Sequence, residues 1–325
     1  MLDLRPVGYV IGLLVAVLGA SMLVPMTVDL MAGNGHWPAF AEASIVTIVV
    51  GSLVALACAN AAGEGLTLRQ TFLMTTSVWL ALPVFGALPF LFGATEARYV
   101  DAFFEAMSGL TTTGSTVLSG LEELPEGLLI WRGLLQWFGG IGIIVVAMAF
   151  LPELRAGGMQ IFRSEGFDPF GKILPRATEI AIRISVVYFI LTAACGITYF
   201  ALGMEGFDAV VHAMTTIATG GFANYDVSFG AFGPGVEYAA VVFMALAALP
   251  FVRYVQLLAG SWNAPLRDPQ IRAFVATLIA AALVMVVWQV ASSDRGWEEA
   301  IRKALFNVTS IVTGTGYASD NYMLW

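Results

Sequence analysis

Charged residues are scarce in this chain. Asp, Glu, Lys and Arg make up 12% of its 325 residues, and hydrophobic residues make up 58%. A soluble domain carries about 25% charged residues, so the composition excludes an ordinary soluble protein and indicates a polytopic membrane protein. Apolar stretches of about 20 residues, the length that crosses a bilayer core, begin near Gly8, Ala41, Thr71, Leu128, Ile180, Val236 and Arg272.

Cysteine and histidine are also scarce, with two residues of each. Cys58 and Cys195 both lie within apolar stretches and are interpreted as small packing residues without a disulfide role. His36 lies alone in a loop and is expected to be solvated. The sequence contains no nucleotide-binding fingerprint, cluster of metal ligands or catalytic-triad spacing. We therefore predict that the protein is not an enzyme, needs no cofactor and binds no nucleic acid.

Basic residues are distributed unevenly between the two sides of the predicted crossings. With the N-terminus inside, ten of the 15 Lys and Arg residues lie on the inner side: Arg5, Arg69, Arg155, Arg163, Lys172, Arg176, Arg183, Arg253, Arg267 and Arg272. This agrees with the positive-inside bias and predicts a multi-pass membrane protein with a cytoplasmic N-terminus. Most acidic residues then lie outside, where they either raise the local cation concentration or simply keep the loops soluble.

One short pattern recurs three times along the chain. It reads DAFFEAMSGLTTTGS at 101–115, DAVVHAMTTIATGGF at 208–222 and KALFNVTSIVTGTGY at 303–317. Each copy predicts a helix of about 10 residues, too short to cross the bilayer, followed by a turn rich in threonine and glycine. Repetition of this kind indicates one structural unit used several times.

The turns offer oxygen ligands but contain no carboxylate. A dehydrated monovalent cation needs oxygens in place of its water, and backbone carbonyls supply them in known filters. Glycine adopts the positive φ that lets successive carbonyls face one axis. The absence of carboxylates favours a monovalent cation over Ca²⁺ or Mg²⁺. The predicted filter residues are Thr111, Thr112, Thr113, Gly114, Thr219, Gly220, Gly221, Thr313, Gly314, Thr315 and Gly316.

Acidic residues begin the first two short helices. Asp101 and Asp208 are expected to cap the free N–H groups there and to complement the helix dipole. Lys303 holds the aligned position in the third copy. Because Glu298 and Glu299 lie one turn earlier, the third helix is expected to begin sooner.

A second aligned position is also polar in all three copies. It is held by Glu105, His212 and Asn307, which are expected to brace the turns by hydrogen bonds. A proton relay is an alternative role for His212. Arg132, near the outer end of a predicted crossing, is expected either to snorkel to water or to brace the acidic outer loop.

The turn motifs resemble those of a known family. MSGLTTTGST at 107–116, ATGGF at 218–222, TGTGY at 313–317 and RGLLQWFGGIGIIV at 132–145 are similar to the Trk/Ktr/HKT superfamily of potassium uptake proteins, closest to the TrkH branch. The resemblance implies an all-α membrane protein with four helix–pore-helix–helix units around a pseudo-fourfold pore, preceded by two extra transmembrane helices. It also implies K⁺ bound at the filter residues, a homodimer in the lipid bilayer and a cytosolic, nucleotide-sensing ring of TrkA-like subunits.

On this pattern the chain divides into five segments. Two N-terminal helices (1–65) precede a first pore unit (66–155), a cytosolic linker (156–179) that is the expected contact for the ring, a second pore unit (180–262) and a third (263–325). The third unit lacks its second helix and a fourth unit is absent, so a truncated chain is expected.

Two main functions follow from these expectations. The leading one is K⁺ uptake across the cytoplasmic membrane, as the membrane subunit of a Trk-type system. The alternative is a non-conducting remnant, or one half of a split pore that needs a second chain. An alternating-access transporter is disfavoured, because it requires charges near the membrane midplane and the sequence has few.

Overall fold

The computed structural model describes residues 3–61, 67–95, 97–150, 177–261, 263–292, 296–322 and 325. Over these residues every regular element is helical, which confirms the predicted all-α class. The helices are α1 Arg5–Ser21, α2 Leu23–Ala32, α3 Trp37–Ala57, α4 Leu68–Gly86, α5 Leu88–Phe92, α6 Tyr99–Leu110, α7 Glu126–Phe150, α8 Ala177–Ala201, α9 Gly206–Ile217, α10 Pro234–Ala247, α11 Phe251–Leu258, α12 Ala264–Arg267, α13 Pro269–Ser292 and α14 Trp297–Thr313.

Several helices are long and apolar enough to cross a membrane. Within the described ranges these stretches are Arg5–Ala32, Trp37–Ala57, Arg69–Phe92, Ala181–Ala201 and Pro269–Ser292, and they correspond to five of the predicted crossings. The crossing predicted at 128–151 corresponds to α7, whose side chains from 143 onward lie outside the described part. The predicted cytosolic linker, 156–179, also lies almost wholly outside it.

The crossing predicted at 236–258 is wrong as a single straight helix. Helices α10 and α11 meet there at an angle of 86°. Pro250 directly precedes α11. Proline lacks an N–H and disfavours helical backbone at the residue before it, so α10 ends at Ala247, three residues before Pro250. The apolar pattern did not reveal the break because both halves are hydrophobic.

The chain forms two compact units, one of residues 1–111 with 115–138 and the other of 112–114 with 139–325. In the first unit, α1 and α3 pack through small residues. A Cβ atom added to Gly12 would lie 2.5 Å from the nitrogen of Ala55, and one added to Gly51 would lie 2.5 Å from the nitrogen of Ala16. Only small residues allow two backbones to approach this closely, which is how many membrane helices associate.

His36 is not solvated as the sequence suggested. Its Nε2 accepts a hydrogen bond from the backbone N–H of Ala94 at 2.8 Å, and its Nδ1 lies 3.1 Å from a carboxylate oxygen of Asp29. Because the Ala94 N–H can only donate, Nδ1 carries the ring hydrogen and donates to Asp29. Asp29 is fully buried and also accepts from the N–H of Gly127 at 2.7 Å. The cluster therefore ties the α2–α3 connection to the start of α7 within the first unit.

The three short helices of the repeated pattern are α6, α9 and α14. In the first unit α6 packs against α4. In the second unit α9 packs against α8 and α10, while α14 packs against α10 and α13. Each short helix is therefore supported by longer ones, and this support fixes where its C-terminal end and the following turn lie.

Candidate functional site

Each short helix leads directly into one predicted turn. Helices α6 and α9 have 12 residues each, whereas α14 has 17. The third helix begins early, as predicted, at Trp297, with Glu298 and Glu299 in its first turn. The C-terminal end of a helix carries about half a negative charge. All three turns thus follow a helix end that attracts cations.

Asp101 and Asp208 do not cap their helices. The N-cap residues are Arg98 and Glu205, and neither makes a side-chain cap hydrogen bond. Both aspartates lie in the first turn, where a negative charge complements the dipole, so only that part of the expectation holds. Arg98 Nε donates to Asp101 Oδ2 at 2.8 Å, and this hydrogen bond lowers the pKa of the Asp101 carboxyl.

Asp208 and Lys303 hold the segments that leave their turns. The buried carboxylate of Asp208 accepts hydrogen bonds from Asn224 Nδ2 at 2.7 Å and from the hydroxyl of Tyr225 at 2.9 Å. The ammonium of Lys303 donates to the backbone oxygen of Ser319 at 2.7 Å. Asn224 and Ser319 hold equivalent positions in the repeat. The equivalent positions after the second and third turns are therefore both held by the residue that begins the repeat. Asp208 accepts a hydrogen bond there, whereas Lys303 donates one.

Glu105, His212 and Asn307 make the same hydrogen bond in all three copies. Each is fully buried and accepts the backbone N–H of the residue 12 positions later. The donors are Val117 at 3.2 Å, Asn224 at 3.4 Å and Ser319 at 3.1 Å. The bond ties each short helix to the chain beyond its turn.

The histidine of this set has a defined tautomer. His212 Nδ1 lies 2.8 Å from the backbone oxygen of Asp208 and must donate to it. Its Nε2 then accepts from the N–H of Asn224. This arrangement fits a neutral imidazole that braces the turn, the first of the two roles considered from the sequence.

Substitution of His212 tests that role. In a His212→Leu variant the N–H of Asn224 loses its acceptor, and we expect the free energy of unfolding to fall by about 1–3 kcal/mol. His212→Asn introduces the residue that the third copy uses, so we expect it to retain most of the stability. Thermal unfolding of the two purified variants in detergent measures the difference. Equal destabilisation by leucine and asparagine would contradict the bracing role.

Arg132 neither snorkels nor lies in contact with water. It is 1% exposed, and its Nε donates to Glu105 Oε1 at 2.8 Å. Glu105 also accepts from the hydroxyl of Thr116 at 2.9 Å. Burying a carboxylate is costly unless it is paired and hydrogen-bonded. The first copy, which alone uses a carboxylate at this position, therefore also supplies a buried counter-charge.

The backbone of each turn contains two residues with positive φ, whereas the sequence required at least one. One of them is the aligned glycine: Gly114 at 78°, Gly221 at 79° and Gly316 at 87°. The other lies two residues earlier: Thr112 at 53°, Thr219 at 50° and Gly314 at 76°. A β-branched residue in this region is strained by about 1–2 kcal/mol. The sequence did not predict it, because threonine rarely adopts this conformation.

The turns lie side by side in the second unit. A Cβ atom on Gly114 would collide with the carbonyl oxygen of Gly220, and one on Gly221 would collide with that of Thr315. A Cβ atom on Gly316 meets no described atom within 4 Å. The structure thus brings together the predicted residues 112–114, 219–221 and 313–316. Thr111 belongs to the first unit, at the end of α6, where its hydroxyl donates to the backbone oxygen of Met107.

A cavity of about 520 Å³ adjoins all three turns within the second unit. Its lining includes Thr112, Thr219 and Thr313, one residue from each turn. Leu249 and Pro250, at the break between α10 and α11, line it as well. The break that the sequence did not predict therefore shapes the space next to the turns.

Tyr317 also belongs to this site, although the threonine and glycine pattern did not predict it as a filter residue. It follows Gly316 directly, is buried, and its hydroxyl contacts Thr215 and Thr216. The repeat gave no direct signal for Tyr317, because the equivalent residues are Ser115 and Phe222. Only the hydroxyl of its partner Thr215 recurs in the other copies, as Ser108 and Ser310.

Comparison with known proteins identifies the family. The family model described as "Cation transport protein", TrkH, matches residues 36–322. This chain belongs to the TrkH family. The family consists of cation transporters, in agreement with the prediction that the protein is not an enzyme, and together with the apolar helices it indicates a multi-pass membrane protein.

Alignments with known proteins cover nearly the whole of this chain. It is 39% identical over 322 residues to the Trk system potassium uptake protein TrkI of Halomonas elongata, a match that covers 98% of this chain and 65% of that protein. It is 37% identical over 330 residues to TrkH of Escherichia coli K12, covering 99% and 68%. The crystal structure of the potassium transporter TrkH from Vibrio parahaemolyticus superimposes with a TM-score of 0.89 at 33% identity, covering 100% and 67%.

The share of each chain that is aligned does not support the truncation expected from the sequence. The matches take in 98–100% of this chain and give a truncated chain no support. The chain spans about two thirds of the length of the relatives, with values of 65%, 68% and 67%.

Proposed function

We propose that this chain is the membrane subunit of a Trk-type system and takes up K⁺ across the cytoplasmic membrane. The ion would pass through backbone carbonyls of residues 112–114, 219–221 and 313–316, which lie in one unit. The observation that carries the proposal is that three turns, each braced by the same buried hydrogen bond, meet beside one cavity. The printed names of the relatives, potassium uptake proteins and a potassium transporter, support K⁺ as the ion.

The division into pore units, the pseudo-fourfold arrangement and the assembly belong to the same proposal. We propose a homodimer in the inner membrane, with a TrkA-like cytosolic ring that contacts the segment 156–179. The cytoplasmic N-terminus is supported by the basic residues Arg5 and Arg69. The side chain of Gln70 donates to the backbone oxygen of Asp3 at 2.6 Å, so the starts of α1 and α4, which carry the two arginines, lie together.

A specific observation favours the split pore as a second candidate. The first turn contacts the second and the second contacts the third, whereas the corresponding position on Gly316 faces no described atom within 4 Å. A further segment with the same kind of turn would continue the series there. This side of the third turn is therefore the expected docking position for a second chain.

Complementation separates these functions. The chain is expressed in cells that lack K⁺ uptake, either alone or together with the C-terminal third of a TrkH relative, after its presence in the membrane is verified. Growth at low K⁺ with the chain alone supports K⁺ uptake by this chain without a second chain. Growth only with the added segment supports the split pore. Absence of growth in both arms contradicts K⁺ uptake by either route.

A further inference from the structure

A buried hydroxyl connects the third turn to the second short helix. Tyr317 is 1% exposed. Its hydroxyl lies within hydrogen-bond distance of Thr215 Oγ1, 3.2 Å from Thr216 Oγ1 and 3.2 Å from the backbone oxygen of His212. All three partners are on α9, which leads into the second turn. The contact therefore joins two different copies of the repeat.

Both ends of Tyr317 are held in place. Its ring packs against Phe229 with a centroid distance of 4.3 Å, and Phe229 packs against Phe306 at 5.2 Å. Ser310 Oγ, from the third short helix, donates to the backbone oxygen of Tyr317 at 2.7 Å. Because the ring is enclosed, its hydroxyl cannot exchange Thr215 for water. Because Tyr317 follows Gly316 directly, the position of this side chain constrains the backbone of the third turn.

The other copies lack the chemistry for this contact. The residues equivalent to Tyr317 are Ser115 in the first copy and Phe222 in the second. Phenylalanine has no hydroxyl, and a serine side chain is too short to reach across to a neighbouring helix. The junction between the second and third turns thus has a hydrogen-bonded link that the repeat does not otherwise provide.

We propose that the Tyr317 hydroxyl is a specificity-determining group: it fixes the distance between the second and third turns and so sets the preference for K⁺ over Na⁺. The proposal rests on the proposed filter function. Carbonyl oxygens discriminate between the two ions only if their spacing or number is maintained. A turn that can move inward would accommodate the smaller Na⁺ and lose that discrimination.

Ion-dependent thermal unfolding tests the proposal with the full chain. The purified protein in detergent is titrated with KCl or NaCl at constant ionic strength, balanced with choline chloride. An ion that binds the folded state raises the unfolding temperature, so the half-maximal concentrations report apparent affinities for K⁺ and Na⁺. For Tyr317→Phe we expect the Na⁺/K⁺ ratio of these concentrations to fall at least about fivefold.

Two pairs of variants separate positioning from general packing. Tyr199→Phe removes another fully buried hydroxyl, which lies 3.0 Å from Thr216 Oγ1 but is not bonded to the third turn, and it should leave the ratio unchanged. Thr215→Val should reproduce the effect of Tyr317→Phe from the opposite side. Thr215→Ser keeps the hydroxyl and should retain the wild-type ratio.

Each outcome decides a different question. If the wild-type chain does not prefer K⁺, the proposed filter fails and this inference fails with it. If the wild type, Tyr317→Phe and Thr215→Val all have the same preference for K⁺, the result supports the proposed filter and contradicts the proposed role of the Tyr317 hydroxyl. An equal loss of preference in Tyr199→Phe would also overturn it, because the effect would then not be specific to the hydroxyl that reaches the third turn.

Discussion

Replacing Gly221 by serine should lower the preference for K⁺ over Na⁺ at least about tenfold, which corresponds to about 1.4 kcal/mol. Two effects add at this position. Gly221 has φ of 79°, a conformation that costs a residue with a Cβ atom about 1–2 kcal/mol. The new Cβ would also overlap the carbonyl oxygen of Thr315, which is one of the oxygens proposed to bind the ion. The third turn must therefore move when the second is altered.

A matched control isolates the overlap from the backbone strain. Gly203 also has positive φ, at 97°, but a Cβ atom there meets nothing within 4 Å. Gly203→Ser should lower the unfolding temperature without changing ion preference. Sodium and potassium uptake, or the half-maximal stabilising concentrations of the two ions, measure the difference. An unchanged ratio in Gly221→Ser would show that the second turn does not contact the ion.

Replacing Arg132 by methionine should destabilise the protein by about 3–5 kcal/mol, the cost of leaving one partner of a buried ion pair alone. Arg132 and Glu105 have side chains that are 1% and 0% exposed, with an N–O distance of 2.8 Å. Methionine fills much of the volume of arginine without its charge. Among the described residues, the N–H of Val117 and the hydroxyl of Thr116 then remain as the hydrogen-bond donors to the buried carboxylate of Glu105.

The repeat itself suggests the rescue experiment. Asn307 accepts the equivalent N–H without any charge, so Glu105→Asn combined with Arg132→Met should recover most of the lost stability. The control is Arg98→Met, because the pair of Arg98 and Asp101 is on the surface, with the arginine side chain 83% exposed. Surface pairs contribute about 0–1 kcal/mol. Thermal unfolding in detergent compares the variants, and a double variant no more stable than Arg132→Met would contradict this account.

Much of the candidate site could be predicted because the sequence repeats. The ungapped alignment of Gly114, Gly221 and Gly316 located the turns, since only glycine adopts their backbone conformation without strain. The same alignment identified the shared position of Glu105 and its counterparts. Composition alone was enough for the all-α membrane class, because long apolar stretches have few other solutions.

The remaining features depend on contacts between distant segments. Helix-end rules placed Asp208 at a cap, but the side chains of Asn224 and Tyr225 compete for its carboxylate and hold it elsewhere. Snorkelling, one of the two roles expected of Arg132, assumed water within reach, whereas the carboxylate of Glu105 on another helix accepts its hydrogen bond. The positive φ of Thr219 opposes its intrinsic preference. Tertiary context imposes such a conformation, and the local sequence does not reveal it.

The close packing of α1 against α3 has a consequence for biosynthesis. Proteins emerge from the ribosome with their N-terminal segments first, and these two helices make contacts that require nothing later in the chain. Gly12 and Gly51 allow them to pair as soon as both enter the bilayer. The pair then presents a finished surface to α4, which packs on α1. The helices that lack the repeat can therefore pair without the rest of the chain and offer α4 a preformed surface.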